Sequence, residues 1–217
     1  MLKPTQAAEE LISDLADSLD ISDSRYESAE RSYKSVSSWL DRPESRFANI
    51  RFNVYTQGSF RLGTAIRPFD GSEDYDLDIV CEFSKSKFSQ TQKQLFDDLG
   101  YELQLYAGAH SMEDPSPWRR CWTLNYADEA QFHLDVLPCV PDAQRQRRLR
   151  EAAALSQEHV EKSVSITDKE HENYRLLTDD WPVSNPNGYA DWFYARMKAA
   201  FESFGACENV PSSARLK

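Results

Sequence analysis

The chain has 217 residues, 40% of them hydrophobic, and a formal net charge of −11, which allows one substantial domain with a core that needs no disulfide scaffold. That charge repels a polyanion at long range and argues against stable duplex nucleic-acid binding over a broad surface, while leaving room for a small nucleotide site. Four scattered cysteines, Cys81, Cys121, Cys139 and Cys207, form no C-x-x-C pair and no run is apolar enough to span a bilayer, so a soluble, membrane-free, cytoplasmic protein with reduced thiols and no zinc site is expected.

In chain order, residues 5–20 predict a helix with Leu11, Ile12, Leu15 and Leu19 on one stripe. A second helix is expected to start at Ser24, with Glu27 completing a capping box, and to end before Pro43. Both are expected to pack on the core, so residues 1–46 are assigned as N-terminal helices and 47–217 as one continuous domain. From Asn49 the period changes to two, predicting a strand that runs into Gln57-Gly58-Ser59. Residues 74–81 predict a second strand. A helix near 89–99 is expected to bury Phe88, Leu95, Phe96 and Leu99. The segment 113–117 reads as a loop, and strands at 118–127 and 131–140 read as a hairpin turning at Asp128-Glu129. A basic helical stretch with Arg145, Arg147, Arg148 and Arg150 follows, and its arginines are expected on a solvated face. Finally, Asn185 as N-cap and Pro186 at the first helical position open a helix carrying Tyr189, Trp192, Phe193, Met197 and Phe201, an aromatic stripe expected in the core. This order predicts an α/β (α+β) domain with a mixed, mainly antiparallel sheet flanked by helices.

Chemistry concentrates in three places. On the second strand Asp76 and Asp78 share a face while Tyr75, Leu77 and Ile79 share the other. Two carboxylates facing one point repel unless a cation lies between them, and Mg²⁺, which prefers hard oxygens and substrate phosphates, suits such a site. Gly58-Ser59 at a strand end can expose N–H groups and a hydroxyl to a phosphate. In "FHLDVLP" the apolar Phe132, Leu134 and Val136 face one way, and Asp135 and His133 the other. Asp74 is expected to be a solvated residue at the strand's start, and the four histidines show no ligand spacing.

Together, Gly58-Ser59, Asp76-Leu77-Asp78 and Asp135 resemble the pattern of DNA-polymerase-β-like nucleotidyltransferases. The fuller strings "QGSFRLGTAIRP", "DYDLDIV", "FHLDVLPCVP" and "SNPNGYADWF" are similar to the bacterial relatives of cyclic GMP-AMP synthase, which join nucleoside triphosphates into cyclic di- or trinucleotides in anti-phage defence. The resemblance implies a two-metal mechanism. Asp76 and Asp78 would hold both Mg²⁺ ions, with Mn²⁺ as a substitute, and Asp135 chiefly the one that activates the attacking hydroxyl. Ser59 would hold the triphosphate, helped by Gln57, Gly58 and Thr64. It also implies regulatory or effector protein partners. The family's C-terminal helical lobe is expected to be missing after "VPSSARLK". Two other readings stay open: transfer of a nucleotide to RNA, protein or a small molecule, and a catalytically silent nucleotide-binding module.

Overall fold

The computed structural model describes residues 6–67, 75–126, 132–142 and 162–204. The expectations for Asp74, the Asp128-Glu129 turn, the four arginines of 145–150, His159 and Cys207 lie outside these residues, as does the side chain of Phe201.

Two helices, α1 (Gln6–Leu19) and α2 (Asp23–Leu40), precede strand β1 (Phe52–Thr56), the short helix α3 (Gly58–Leu62) and strand β2 (Tyr75–Phe83). Helix α4 (Gln92–Ala109) is followed by β3 (Ser116–Pro117), β4 (Trp122–Tyr126), β5 (Phe132–Pro141), β6 (Val164–Ile166), β7 (Val183–Ser184) and helix α5 (Pro186–Phe204). Among the described residues the strands form one seven-stranded sheet in the order β1-β2-β5-β4-β3, with β6 pairing β5 and β7. Only β2 and β5 run parallel; every other pair is antiparallel. The mixed, mainly antiparallel sheet expected from the order of elements is therefore present.

One sheet face carries the main core. Leu77, Ile79, Cys81 and Phe83 of β2 and Phe132, Leu134 and Val136 of β5 are buried there, with Leu95, Phe96, Leu99 and Leu103 of α4 and Val36 and Leu40 of α2. Helix α4 approaches β4 so closely that a Cβ on Gly100 would lie 2.1 Å from the Trp122 ring. Glu102 ties α4 to the end of α2, pairing with Arg42 at 2.6 Å and accepting the Arg46 N–H at 2.7 Å. The opposite face is apolar only toward the far ends of the central strands, where Tyr55, Val80, Leu137, Cys139, Val164 and Ile166 make a second, smaller cluster. Before that cluster, the same face presents Asp76, Asp78, His133 and Asp135.

Several local expectations are corrected. Helix α2 begins at Asp23 with Ser22 as N-cap and no side-chain cap bond, so Ser24 lies inside the first turn and cannot head a capping box. The capping box belongs to α4: the Thr91 side chain accepts the Gln94 N–H, and the Gln94 side chain accepts the Thr91 N–H. Phe88 precedes that helix and is exposed. On α1, Leu11 and Leu15 are 69% and 57% exposed, so this part of the stripe does not pack on the core, while the side chain of Ile12 lies outside the described residues. β1 starts at Phe52, three residues later than expected, because 47–50 are spent in turns. Ser116 and Pro117, placed in a loop by their composition, pair with Thr123 and Trp122. Residues 118–121, expected as strand, are the turn between β3 and β4, closed by the Trp118 N–H donating to the Cys121 carbonyl at 2.9 Å. Asn185 caps α5 as expected, accepting the Gly188 N–H at 2.9 Å, but Tyr189 and Trp192 of the aromatic stripe are exposed.

Candidate active site

The site is built by strand parity. In β2 the burial alternates, with Tyr75, Leu77 and Ile79 in the core, Asp76 exposed and Asp78 half-buried. In β5 Phe132, Leu134 and Val136 are buried while His133 and Asp135 are half-buried. The parallel register sets Asp78 beside Asp135 and Asp76 beside His133. Residues paired across neighbouring strands point to the same face, so three carboxylates from two strands share one face, as their sequence pattern predicts. His133 Nδ1–H donates to Asn125 Oδ1 at 2.8 Å, which orients the ring along the sheet as a neighbour of the acidic group.

The Gly-Ser turn sits directly over Asp78. The Gln57 N–H donates to the Asp78 carbonyl at 2.8 Å, which anchors the turn to β2. Gly58 then takes a left-handed conformation (φ +64°), and a Cβ added there would lie 2.2 Å from Asp78 Oδ2. Only glycine meets both conditions, an unusual φ and a carboxylate against the backbone. Ser59 lies in the first turn of α3, and the Thr64 N–H folds back to the Ser59 carbonyl at 2.9 Å. Gln57, Gly58, Ser59 and Thr64 are thus gathered at one turn beside the acidic group. The Tyr194 hydroxyl of α5 donates to the Arg61 carbonyl, holding α3 from behind.

Electrostatics follow from this crowding. Burial, with the Asp135 and Asp76 carboxylates adding to it, pushes the Asp78 carboxyl up to about 6. The chemistry of the donor set tests whether a divalent cation fits: three carboxylates on one face, one of them raised by burial and then by its neighbours, gain most from a hard cation. Among the described residues no three His, Cys, Asp or Glu side chains already close around an ion-sized point. The fit is therefore one of donor type and face, not of a preformed cage.

Two participants escape a reading of the strands alone. Thr123 pairs with Asp135 across β4 and β5, and its hydroxyl donates to Asp135 Oδ1. The thiol of Cys121 lies on the same face. Burial, then Asp135 with which it hydrogen-bonds, and Asp78 further off, push it up to about 12, so it stays protonated. The signal for Thr123 was a hydroxyl-bearing residue in the hairpin partner of an acidic strand, which becomes informative only once the register is known.

This fold is that of the polymerase-β-like nucleotidyltransferases. The chain aligns with the CD-NTase CdnG of Bradyrhizobium diazoefficiens, solved in complex with GTP, at a TM-score of 0.63 and 23% identity, covering 93% of this chain and 56% of that one. The Second Messenger Oligonucleotide or Dinucleotide Synthetase domain model matches residues 7–161, and the chain belongs to that family. A c-di-GMP synthase of Roseivirga ehrenbergii is 26% identical over 186 residues, 85% of this chain and 42% of that protein. The cyclic dinucleotide synthase CdnG of B. diazoefficiens is 28% identical over 128 residues, 59% of this chain and 29% of that protein. The chain spans less than half the length of these curated relatives.

Proposed function

We propose that this chain carries the catalytic core of a Mg²⁺-dependent nucleotidyltransferase that joins nucleoside triphosphates into a cyclic di- or trinucleotide with release of pyrophosphate. Its product is a cytoplasmic second messenger in anti-phage defence, and regulatory or effector proteins are its partners. The observation that carries the reading is the juxtaposition of Asp76, Asp78 and Asp135 on one sheet face with the Gly58 turn against the Asp78 carboxylate. Among the described residues no helix is long and apolar enough to cross a membrane.

Asp76, Asp78 and Asp135 would hold the divalent cations, which when bound neutralise the triphosphate and make a ribose hydroxyl more acidic. The chain's own residues do the positioning. Ser59 and the backbone of Gln57-Gly58, supported by Thr64, take the donor's phosphates. Asp135, fixed by Thr123, faces the acceptor hydroxyl. The hydroxyl oxygen forms a bond to the α-phosphorus while the bond from that phosphorus to pyrophosphate breaks, in line. That the GTP-bound CdnG has the same fold supports a nucleoside triphosphate as substrate.

The test is incubation of the chain, within its complete reading frame, with four ribonucleoside triphosphates and Mg²⁺, and identification of products by mass spectrometry. A cyclic oligonucleotide lost in Asp76→Asn is the expected result. No phosphodiester product, or an equal yield from Asp76→Asn, overturns the reading. Label transferred to RNA, protein or a small molecule redirects it to another acceptor, and triphosphate binding without turnover identifies a silent binding module.

A further inference from the structure

The turn between β3 and β4 presents a large aromatic side chain on the acidic face. In the antiparallel register Ser116 pairs with Thr123 and Pro117 with Trp122, and the next pair outward is Trp118 with Cys121, joined by the 2.9 Å bond from the Trp118 N–H. Trp118 therefore shares its face with Cys121, Thr123, Asp135 and Asp78. Its position is two strands across from Asp135 and two residue pairs nearer the turn, on the order of 12 Å from it at ordinary strand spacings. That is the scale of one nucleotide from phosphate to base.

The indole is 62% exposed, yet the turn that carries it is held firmly. Arg119 donates to both carboxylate oxygens of buried Asp168 at 2.7 and 2.8 Å, and Arg120 donates to the same carboxylate at 2.9 Å. The Lys169 N–H adds a bond to the Arg119 carbonyl at 2.9 Å. Burial would raise the Asp168 carboxyl, but the two arginines and the Glu170 N–H outweigh it and hold it down to about 2, so the clamp persists across the whole physiological range. An exposed tryptophan costs the fold solvent contact with apolar surface, and a rigid mount reduces the entropy lost when a flat partner stacks on it.

We propose that Trp118 is a stacking platform for the nucleobase of a nucleotide whose phosphates lie at the carboxylates, and so a positioning residue for the reaction. This rests on the nucleotidyltransferase reading of the same site. Base stacking on an aromatic ring tolerates every base, so Trp118 sets affinity and reach and leaves base choice to other groups.

Calorimetric titration of the 217-residue chain with ATP, GTP and inorganic tripolyphosphate in Mg²⁺ tests it. Trp118→Ala is expected to weaken ATP and GTP binding by roughly 5- to 150-fold, to leave tripolyphosphate binding unchanged, and to leave the melting temperature near that of the parent. Trp118→Phe is expected to retain most of the affinity. Unchanged nucleotide affinity in Trp118→Ala overturns the proposal, and if that variant instead loses self-association, the indole is a contact between copies. Equal weakening of tripolyphosphate overturns it too, because the effect is then structural. A parent chain that binds none of the three ligands overturns the nucleotide reading itself, and this inference with it.

Discussion

Replacing Asp78 with asparagine should stabilise the protein in the absence of divalent cations while abolishing product formation. The Asp78 carboxyl is raised from 3.8 to about 6 by burial and by Asp135 and Asp76. The folded chain thus holds a proton more tightly than the unfolded chain does. Stability from this group is complete below about pH 4, is lost as pH rises through about 6, and stays lost at neutral pH. At ~1.36 kcal/mol per pKa unit the loss has a ceiling of about 3 kcal/mol, and partial solvent access reduces it to about 1–2 kcal/mol. Asparagine keeps the shape and carries no charge, so it escapes that cost. Urea unfolding with a chelator present should show the variant about 1–2 kcal/mol more stable than the parent at pH 7.5 and equal to it near pH 4. Adding Mg²⁺ should narrow the gap at pH 7.5 by stabilising the parent more. A variant that is less stable at pH 7.5, or an advantage independent of pH, would refute the claim that these carboxylates strain the cation-free fold.

Gly58→Ala should fail to form product and lose about 1–3 kcal/mol of stability by thermal unfolding, because its φ is +64° and the new Cβ would meet Asp78 Oδ2 at 2.2 Å. Thr123→Val, nearly isosteric, removes the hydroxyl bonded to Asp135; pyrophosphate release should slow by about 10- to 100-fold with stability changed by less than about 1 kcal/mol. Asp168→Ala leaves Arg119 and Arg120 without their shared acceptor and should cost about 2–3 kcal/mol in denaturant unfolding, at the low end for a broken buried pair since both arginines are half-exposed. In the parent, the stability that Asp168 supplies is present above about pH 4 and is lost as pH falls toward about 2, so the difference between the two proteins should shrink in acid.

Much of the site was legible because a strand has a period of two. Asp76, Asp78 and Asp135 each stand among buried apolar neighbours, so alternation alone turns each of them away from the apolar face of its own strand. Where several arrangements satisfy the same local pattern, the reading failed. Ser24-x-x-Glu27 and Thr91-x-x-Gln94 are equivalent as strings, but a capping box needs an N-cap in extended conformation. Thr91 has one, while helix α2 has already begun when the chain reaches Ser24. The leucine stripe of α1 likewise defines a face without saying what covers it, and Leu11 and Leu15 face away from the core.

By itself, then, the sequence determined which residues of each strand point together: the acidic side of β2, that of β5, the glycine turn before them, and the mixed class of the sheet. These are local properties, dictated by backbone periodicity and by side chains within a few residues. The tertiary structure alone decided that β2 and β5 lie parallel with Asp78 beside Asp135, that Gly58 seats against Asp78, and that Thr123, Cys121 and Trp118 join the same face. Such facts depend on register between segments tens of residues apart, and register is set by how the whole core packs.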